Sequence, residues 1–486
     1  MFRLLELANP STPPDAIHVA LAGRRWVINE YERVSEAPEY TCISYAWGDG
    51  KAKSPLYDHH QVSDRTIRVL ETAVGVSSST TNWDKYISFS HNGDATKGTA
   101  GQAAAVHASQ ALWIDALCVP TQEPARTACL QSMGEIFSSA YQVLVVFTDQ
   151  CSDAIQNTLL TGKLTSTDLS LLESEDWVSR AWTYQEAVNS KRLYFAIEQN
   201  NDLIVSGHDF LNAIMVAIDA YKEAKNFDKL TWEKHNPKLR SLERLLADYL
   251  ISDFATRSAY QVMSVMDHRV SERADDHFYA MVGAITTTNL QIHGDETLRP
   301  SEYFTRVCEE KGDFSFLFST APREETLGQT WRPLEGRFPE LIPGLITLGS
   351  SEAGQAEQTH LSLNNVYRPS LGAITLDGLK AARWFVDDKN ETRSPNDVAA
   401  KVLERLRILG FSGCGAHLEF ATGFFFPQSA PLETDGLFVA VSQEIHWVTG
   451  GPGLLLRKSE SDINGFVDVG AFVGMRPKSG DGIKVG

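Results

Sequence analysis

Short apolar runs alternate with amphipathic stretches along the first half of the chain. TCISYAWG (Thr41–Gly48) reads as a short buried strand running into a Gly-containing loop. ALWIDALCV (Ala111–Val119) is an apolar run of strand length, broken by Asp115 and stopped by Pro120. Pro124 opens a predicted helix, ARTACLQSMGEIFSSA, in which Leu130, Met133, Ile136 and Phe137 recur at helical spacing. YQVLVVF (Tyr141–Phe147) is a continuous apolar strand, and RLYFAI (Arg192–Ile197) is another candidate. Near-uniformly apolar strands with a helix between them point to a parallel sheet covered on both faces.

From His208 to Gly283 the pattern predicts mainly helix, around Phe210–Ala224 and Leu239–Leu250. Beyond Pro322, short segments such as GLFVAVS, GLLLRKS and GFVDVGAFVG, separated by Gly and Pro, predict a β-rich region. The expected organisation is an α/β domain over residues 1–205, a mainly helical segment over 206–300 and a β-rich domain over 301–486. The first boundary is expected near residues 200–210, at the polar break Asn200-Asn201-Asp202. Ser77–Gly101, rich in Ser, Thr, Asn, Gly and Ala, reads as a surface insertion whose composition cannot supply a core.

The net charge of −18 argues against nonspecific affinity for nucleic acid, which needs basic patches. Pro10, Pro13 and Pro14 interrupt the start before a long apolar run develops, a poor pattern for a secretory signal. No stretch approaches the roughly 20 apolar residues that span a bilayer. The six cysteines lie far apart with no CxxC pair, as expected of reduced thiols in the cytoplasm. The 13 histidines show no ligand spacing, so no metal is expected. Cys118 lacks a suitably placed histidine, because His107 is too near in sequence, and reads as a buried thiol.

SRAWTYQEA (Ser179–Ala187) holds the most pointed chemistry. Trp182 and Glu186 stand at i and i+4, on one helical face. Asp115 either orients substrate or a site loop at a strand end, or it caps the following turn or pairs with a nearby arginine. In the loop Tyr45-Ala46-Trp47-Gly48-Asp49-Gly50 the glycines allow close backbone approach, but this is no GxGxxG cradle. A strand-to-loop turn anchored by Trp47 is the preferred reading there. Arg180 either meets a pyrophosphate or pairs with Asp176 or Glu175, the pairing being preferred.

Together CISYAWGDG, LWIDALCVPTQ, the helix ending in MGEIFSSAYQV, and DWVSRAWTYQE resemble the fungal heterokaryon-incompatibility (HET) domain, in order, over roughly residues 40–197. RVSERADDHFYAMVGAI is similar to the helical segment that follows such domains. APLETDGLFVAVSQ, GPGLLLRKS and GFVDVGAFVG are similar to their C-terminal tail. The chain departs from the family at Val119-Pro120-Thr121-Gln122, where Ile-Asn-Gln is usual, and at Val146-Phe147-Thr148, in place of Trp-Leu-Gly.

The resemblance implies a TIR-like, flavodoxin-like α/β domain. Many TIR domains cleave NAD, and their hallmark Trp-x-x-x-Glu is matched by Trp182 to Glu186. On that reading Glu186 is catalytic, and Trp182, Asp115, Tyr45, Trp47, Gly48 and Arg180 bind substrate. NAD is a substrate and no resident cofactor is implied. The resemblance further implies self-association, a protein partner in incompatibility signalling, and a place in nonself recognition and regulated cell death. The chemistry fits one carboxylate. Nicotinamide leaves as a neutral molecule, whereas a glycosidic oxygen needs a second, protonating group. The rival expectation is a catalytically silent module that signals by assembly, since a fold does not fix a function.

Overall fold

A computed structural model describes residues 2–486 except 11, 14–15, 49–52, 58–59, 79–110, 227–231, 233–234, 252–255, 267, 287–297, 327, 335–337, 343–350, 391, 432, 434, 446, 448 and 477–479. It divides into two compact units, the first built from residues 1–227 and 235–250, the second mainly from 251–286 and 290–486.

The first unit is organised by an eight-stranded sheet. Its parallel heart contains β4 (Thr41–Ser44), β7 (Ala111–Trp113), β8 (Gln142–Phe147) and β9 (Leu193–Ile197). β4 lies between β7 and β8, and β9 follows β8. Every residue of β4, β7 and β8 is buried, the pattern of strands covered on both faces. Counted in chain order these four strands lie 2-1-3-4, so the winding reverses direction at β4 and β8. Helix α1 (Asp64–Ser78) precedes β7, and α2 (Asp115–Cys118), α3 (Ala125–Gln131) and α4 (Met133–Ser139) lead to β8. α5 (Ser152–Thr161), α6 (Ser166–Ser174) and α7 (Ala181–Val188) lead to β9.

The sheet is mixed, where the sequence predicted a parallel one. β1 (Phe2–Leu7), β2 (His18–Leu21) and β3 (Arg24–Tyr31) extend it antiparallel beyond β7, and β10 (Asn200–Ser206) pairs antiparallel with β9. Pro10 and Pro13 lie in the connection from β1 to β2, two strands that both pair with β3. The polar break Asn200-Asn201-Asp202 opens β10. Another correction concerns Ala111–Val119. The strand stops at Trp113 and Asp115 opens a helical turn. Of the insertion Ser77–Gly101, Ser77 and Ser78 finish α1, and the remainder lies outside the described residues.

Rings lock the far side of the parallel heart. Phe147 on β8 and Phe195 on β9 sit 5.2 Å apart, with Trp177 at 5.5 and 5.7 Å from them in edge-to-face contacts. Phe210, from the helix Gly207–Lys225, is 4.9 Å from Phe195. Such pairs each add about 0.5–1.5 kcal/mol beyond their burial, so the segment carrying Trp177 is pinned to the ends of β8 and β9.

The second unit opens with helices Ala259–Met266, Ala274–Ile285 and Pro300–Lys311. Its sheet runs β11 (Gly354–Ala356), β12 (Leu361–Tyr367), β15 (Leu437–Ser442), β16 (Gly451–Arg457), β17 (Ile463–Gly474), β14 (Gly423–Pro427) and β13 (Leu418–Phe420). β18 (Asp481–Val485) pairs with both β17 and β12, closing β12, β15, β16, β17 and β18 into a ring. Phe420, Phe425, Val439, Leu455 and Phe472 form part of its core. Two helices interrupt this β-rich region, Leu376–Phe385 and Pro395–Ile408. Their starts are capped by Thr375 and Ser394, and Pro395 stands in the first turn, a helix signature present in the sequence. Among the described residues no helix is long and apolar enough to cross a membrane.

Candidate functional site

Every parallel strand of the first unit ends on or beside a polar residue: Ser44 on β4, Asp115 after β7, Thr148 after β8 and Glu198 after β9. In open α/β sheets ligands lie outside these carboxyl ends, where the winding reverses. Here that place is the end of β4 and β8.

Glu186 on α7 reaches it. Its side chain is buried, 6% exposed, and Oε2 accepts the hydroxyl proton of Ser44. Ser44 Oγ in turn accepts the indole N–H of Trp177 at 2.7 Å. Cys42, two residues before Ser44, has its thiol pushed well above the ordinary range, by burial first and then by the charge of Glu186.

Ser44 is followed by Tyr45, which belongs to a second group. The Tyr45 hydroxyl lies 2.8 Å from Oγ1 of Thr66 in the first turn of α1. Trp47 donates its indole N–H to Oδ2 of Asp115 at 2.7 Å, while Asp115 Oδ1 accepts the backbone N–H of Ala116. Burial raises the Asp115 carboxyl, against the opposing effects of the Trp47 bond, Arg180, the Ala116 amide and Tyr45. Burial and Asp115 both push the Tyr45 phenol well up, and Thr66 and Arg180 oppose them. Asp115 therefore bonds the turn it begins, accepts the Trp47 indole N–H and feels the charge of Arg180, which is what the capping-or-pairing reading expects. The ring of Trp47 is 42% exposed. Gly48 has φ +73°, and a Cβ there would stand 3.4 Å from Cδ of Arg65. The positive φ favours glycine, whereas 3.4 Å is an ordinary contact distance. Asp49 and Gly50 lie outside the described residues.

Arg180, half-buried ahead of α7, acts on Asp115 and Tyr45. The two acids offered to it in sequence are otherwise engaged. Asp176 pairs with Lys238 at 2.8 Å. Glu175 lies 3.5 Å from Arg65 and accepts the backbone N–H and the hydroxyl of Thr148 at 3.1 and 2.7 Å. Arg65 also lies 3.5 Å from Glu198, which Arg68 approaches at 3.6 Å. Removing one charge of such a buried set costs about 3–5 kcal/mol, so it braces the strand ends.

The structure thus gathers Tyr45, Trp47, Asp115 and Arg180, and joins Glu186 to them through the backbone of Ser44-Tyr45. Trp182, half-buried, enters through its place on α7, one turn before Glu186. Ser44, Trp177 and Arg65 were missed in the sequence, and Glu175 was named there only as a partner for Arg180. Ser44 and Trp177 lie inside the quoted segments SYAWG and DWVSR, but neither residue type signals chemistry without its distant partner. Cys118 is buried and its thiol is pushed up to about 12 by burial, which removes it as a nucleophile at neutral pH. All six cysteines are free thiols. Among the described residues no cluster of three or more His, Cys, Asp or Glu side chains suits a metal.

These features define an α/β domain with Asp115, Glu175, Glu186 and Glu198 gathered at the carboxyl ends of its parallel strands. Residues 40–186 match the family model described as heterokaryon incompatibility protein (HET), and the chain carries a HET domain there. No curated protein and no solved structure matches the chain.

Proposed function

We propose that this is a protein of nonself recognition and regulated cell death whose HET domain hydrolyses NAD to nicotinamide and ADP-ribose. The observation that carries the reading is the position of Glu186, held by Ser44 at the end of β4 where the winding reverses. The 2-1-3-4 strand order supports a flavodoxin-like, TIR-like domain. Glu186 would stabilise the positive charge that develops at the anomeric carbon as nicotinamide leaves. Asp115 and Arg180 would orient the ribose and pyrophosphate, and Trp47, Trp182 and Tyr45 would offer ring surfaces to the bases. Self-association is part of the proposal, because TIR-like enzymes often complete their site across subunits.

The burial of Glu186 favours a second reading, in which the HET domain is silent and acts by assembly or partner binding. Incubating purified full chain with NAD over a range of protein concentrations separates the two. Nicotinamide release that rises faster than linearly with protein supports the enzyme. An unchanged NAD pool at every concentration supports the module.

A further inference from the structure

Ser44 is fully enclosed at the end of the central strand, with Trp177 and Glu186 as its partners from segments more than 130 residues away. A serine hydroxyl carries one proton and two lone pairs. An indole N–H can only donate, so Trp177 takes a lone pair of Oγ and directs the single proton elsewhere. That proton points at Oε2 of Glu186. Trp177 cannot drift, because its ring is wedged against Phe147 and Phe195, and its backbone N–H is 3.4 Å from Oε1 of Glu175. Glu175 is itself tied to Thr148 at the end of β8.

We infer that Ser44 and Trp177 are positioning residues for Glu186, a one-way hydrogen-bond chain from the indole through the hydroxyl that fixes the carboxylate as an acceptor in one orientation. The inference rests on the catalytic reading of Glu186 only for its kinetic consequence. The chain of bonds itself is open to direct observation. It explains why the segments around Ser44, Thr148 and Trp177 converge: β4 supplies the hydroxyl, β8 anchors the loop, and that loop delivers the donor. A mispositioned carboxylate misses the developing charge, so the chain should act on turnover more than on binding.

Ser44→Ala should lower kcat about 10- to 100-fold, the scale of one hydrogen bond to a charged group, with KM unchanged. Trp177→Phe keeps the ring and deletes the donor, and should lower kcat about 3- to 10-fold. The double variant should be no slower than Ser44→Ala, because Trp177 acts through Ser44. Ser44→Thr restores a hydroxyl and should recover turnover. Additive losses in the double variant, or a loss confined to KM, would overturn the inference. The second measurement needs no activity. The indole N–H resonance of Trp177, assigned with Trp177→Phe in nitrogen-15-labelled full chain, should move upfield in Ser44→Ala. If it moves while the parent leaves NAD intact, the hydrolase reading fails and the chain of bonds stands. If it stays in place in folded Ser44→Ala, the chain of bonds is refuted whatever the activity.

Discussion

Each unit of the protein contains a buried Ser–Glu pair, and the two differ in what surrounds them. In the first unit Ser44, the last residue of β4, donates to Glu186. In the second, Ser442, the last residue of β15, donates to Glu352. Both carboxyls are buried, at 6% and 0% exposure. Ser44 Oγ is engaged by a side chain from a distant segment, whereas Ser442 Oγ accepts the backbone N–H groups of Glu444 and Ile445 at 3.2 and 2.9 Å. The second pair therefore stitches a local turn. Its other neighbours are of the same kind. Asp313 accepts backbone N–H groups of Ala259, Ser315 and Glu352, and Arg476 donates to the carbonyls of Ser442 and Ile445. Burial, then Glu444 and Asp313, push Glu352 up to about 8, so it is mostly protonated at neutral pH. A buried acid bonded to a serine is thus no signature of chemistry by itself. Glu186 differs by standing at the ends of parallel strands, bonded to the last residue of a strand whose following loop brings Tyr45 and Trp47 to Asp115.

The largest expected effect tests that difference directly. Glu186→Gln keeps size and hydrogen-bonding shape but removes charge. It should cost about two to three orders of magnitude in nicotinamide release, the scale of losing one electrostatic stabiliser, with thermal unfolding close to the parent's. Glu352→Gln should leave the rate alone. Equal losses from the two substitutions would erase the distinction between the pairs.

The asymmetry also explains what could be read from the chain beforehand. β8 and β9 were legible because they are long apolar runs, and α3 and α4 because their apolar residues recur at helical spacing. β1 to β3 were not, since half-exposed antiparallel strands carry arginines and glutamates such as Arg3, Glu6 and Glu30, and their connecting prolines look like a break. Glu186 stood out through its spacing from Trp182. Ser44 did not, because a serine inside an apolar strand becomes chemically meaningful only when the fold brings in residues 133 and 142 positions away. Asp115 was noticed as an interruption, but its bond to Trp47 spans 68 residues and has no local signal.

On the structural side of the comparison, Ser442→Ala should destabilise the protein by about 1–3 kcal/mol. The substitution leaves two backbone donors and one buried carboxyl without their partner. The measurement is urea denaturation of the full chain, read as a lower midpoint, with nicotinamide release by the folded protein unchanged. A midpoint equal to the parent's would show that the turn does not depend on the hydroxyl.

Glu352 gives a pH-dependent counterpart. Its folded pKa is raised from 4.5 to about 8, so between those values the folded state holds a proton that the unfolded state has lost. Its stabilising contribution is therefore complete below about pH 4.5 and is lost as pH rises toward 8. The slope is about 1.4 kcal/mol per pH unit within that window. Glu352→Gln stays neutral throughout and should remove that slope, leaving the variant more stable than the parent at pH 8. Stability followed by urea denaturation from pH 5 to 8 checks this, and a parental slope in the variant would refute it.

The smallest effect should come from the rim of the candidate site. Trp47 donates to Oδ2 of Asp115 at 2.7 Å, and that bond lowers the carboxyl's pKa against the larger raising effect of burial. Trp47→Phe keeps an aromatic ring on a surface already 42% exposed, so folding should be little affected. Without the donor the Asp115 pKa moves further up, and the group loses its charge at a higher pH than in the parent. If charged Asp115 orients NAD, the variant's KM should rise by less than about tenfold, the worth of one hydrogen bond, with kcat unchanged. The sign of the pH dependence is fixed. The KM penalty should grow as pH is lowered, because Asp115 in the variant protonates first, and shrink as pH is raised. Asp115→Asn has no charge to lose, so its own KM should not follow this titration, and its penalty relative to the parent should shrink as pH is lowered and the parent protonates. Parallel KM profiles for Trp47→Phe and the parent would mean that Asp115 serves the turn it begins and not the ligand.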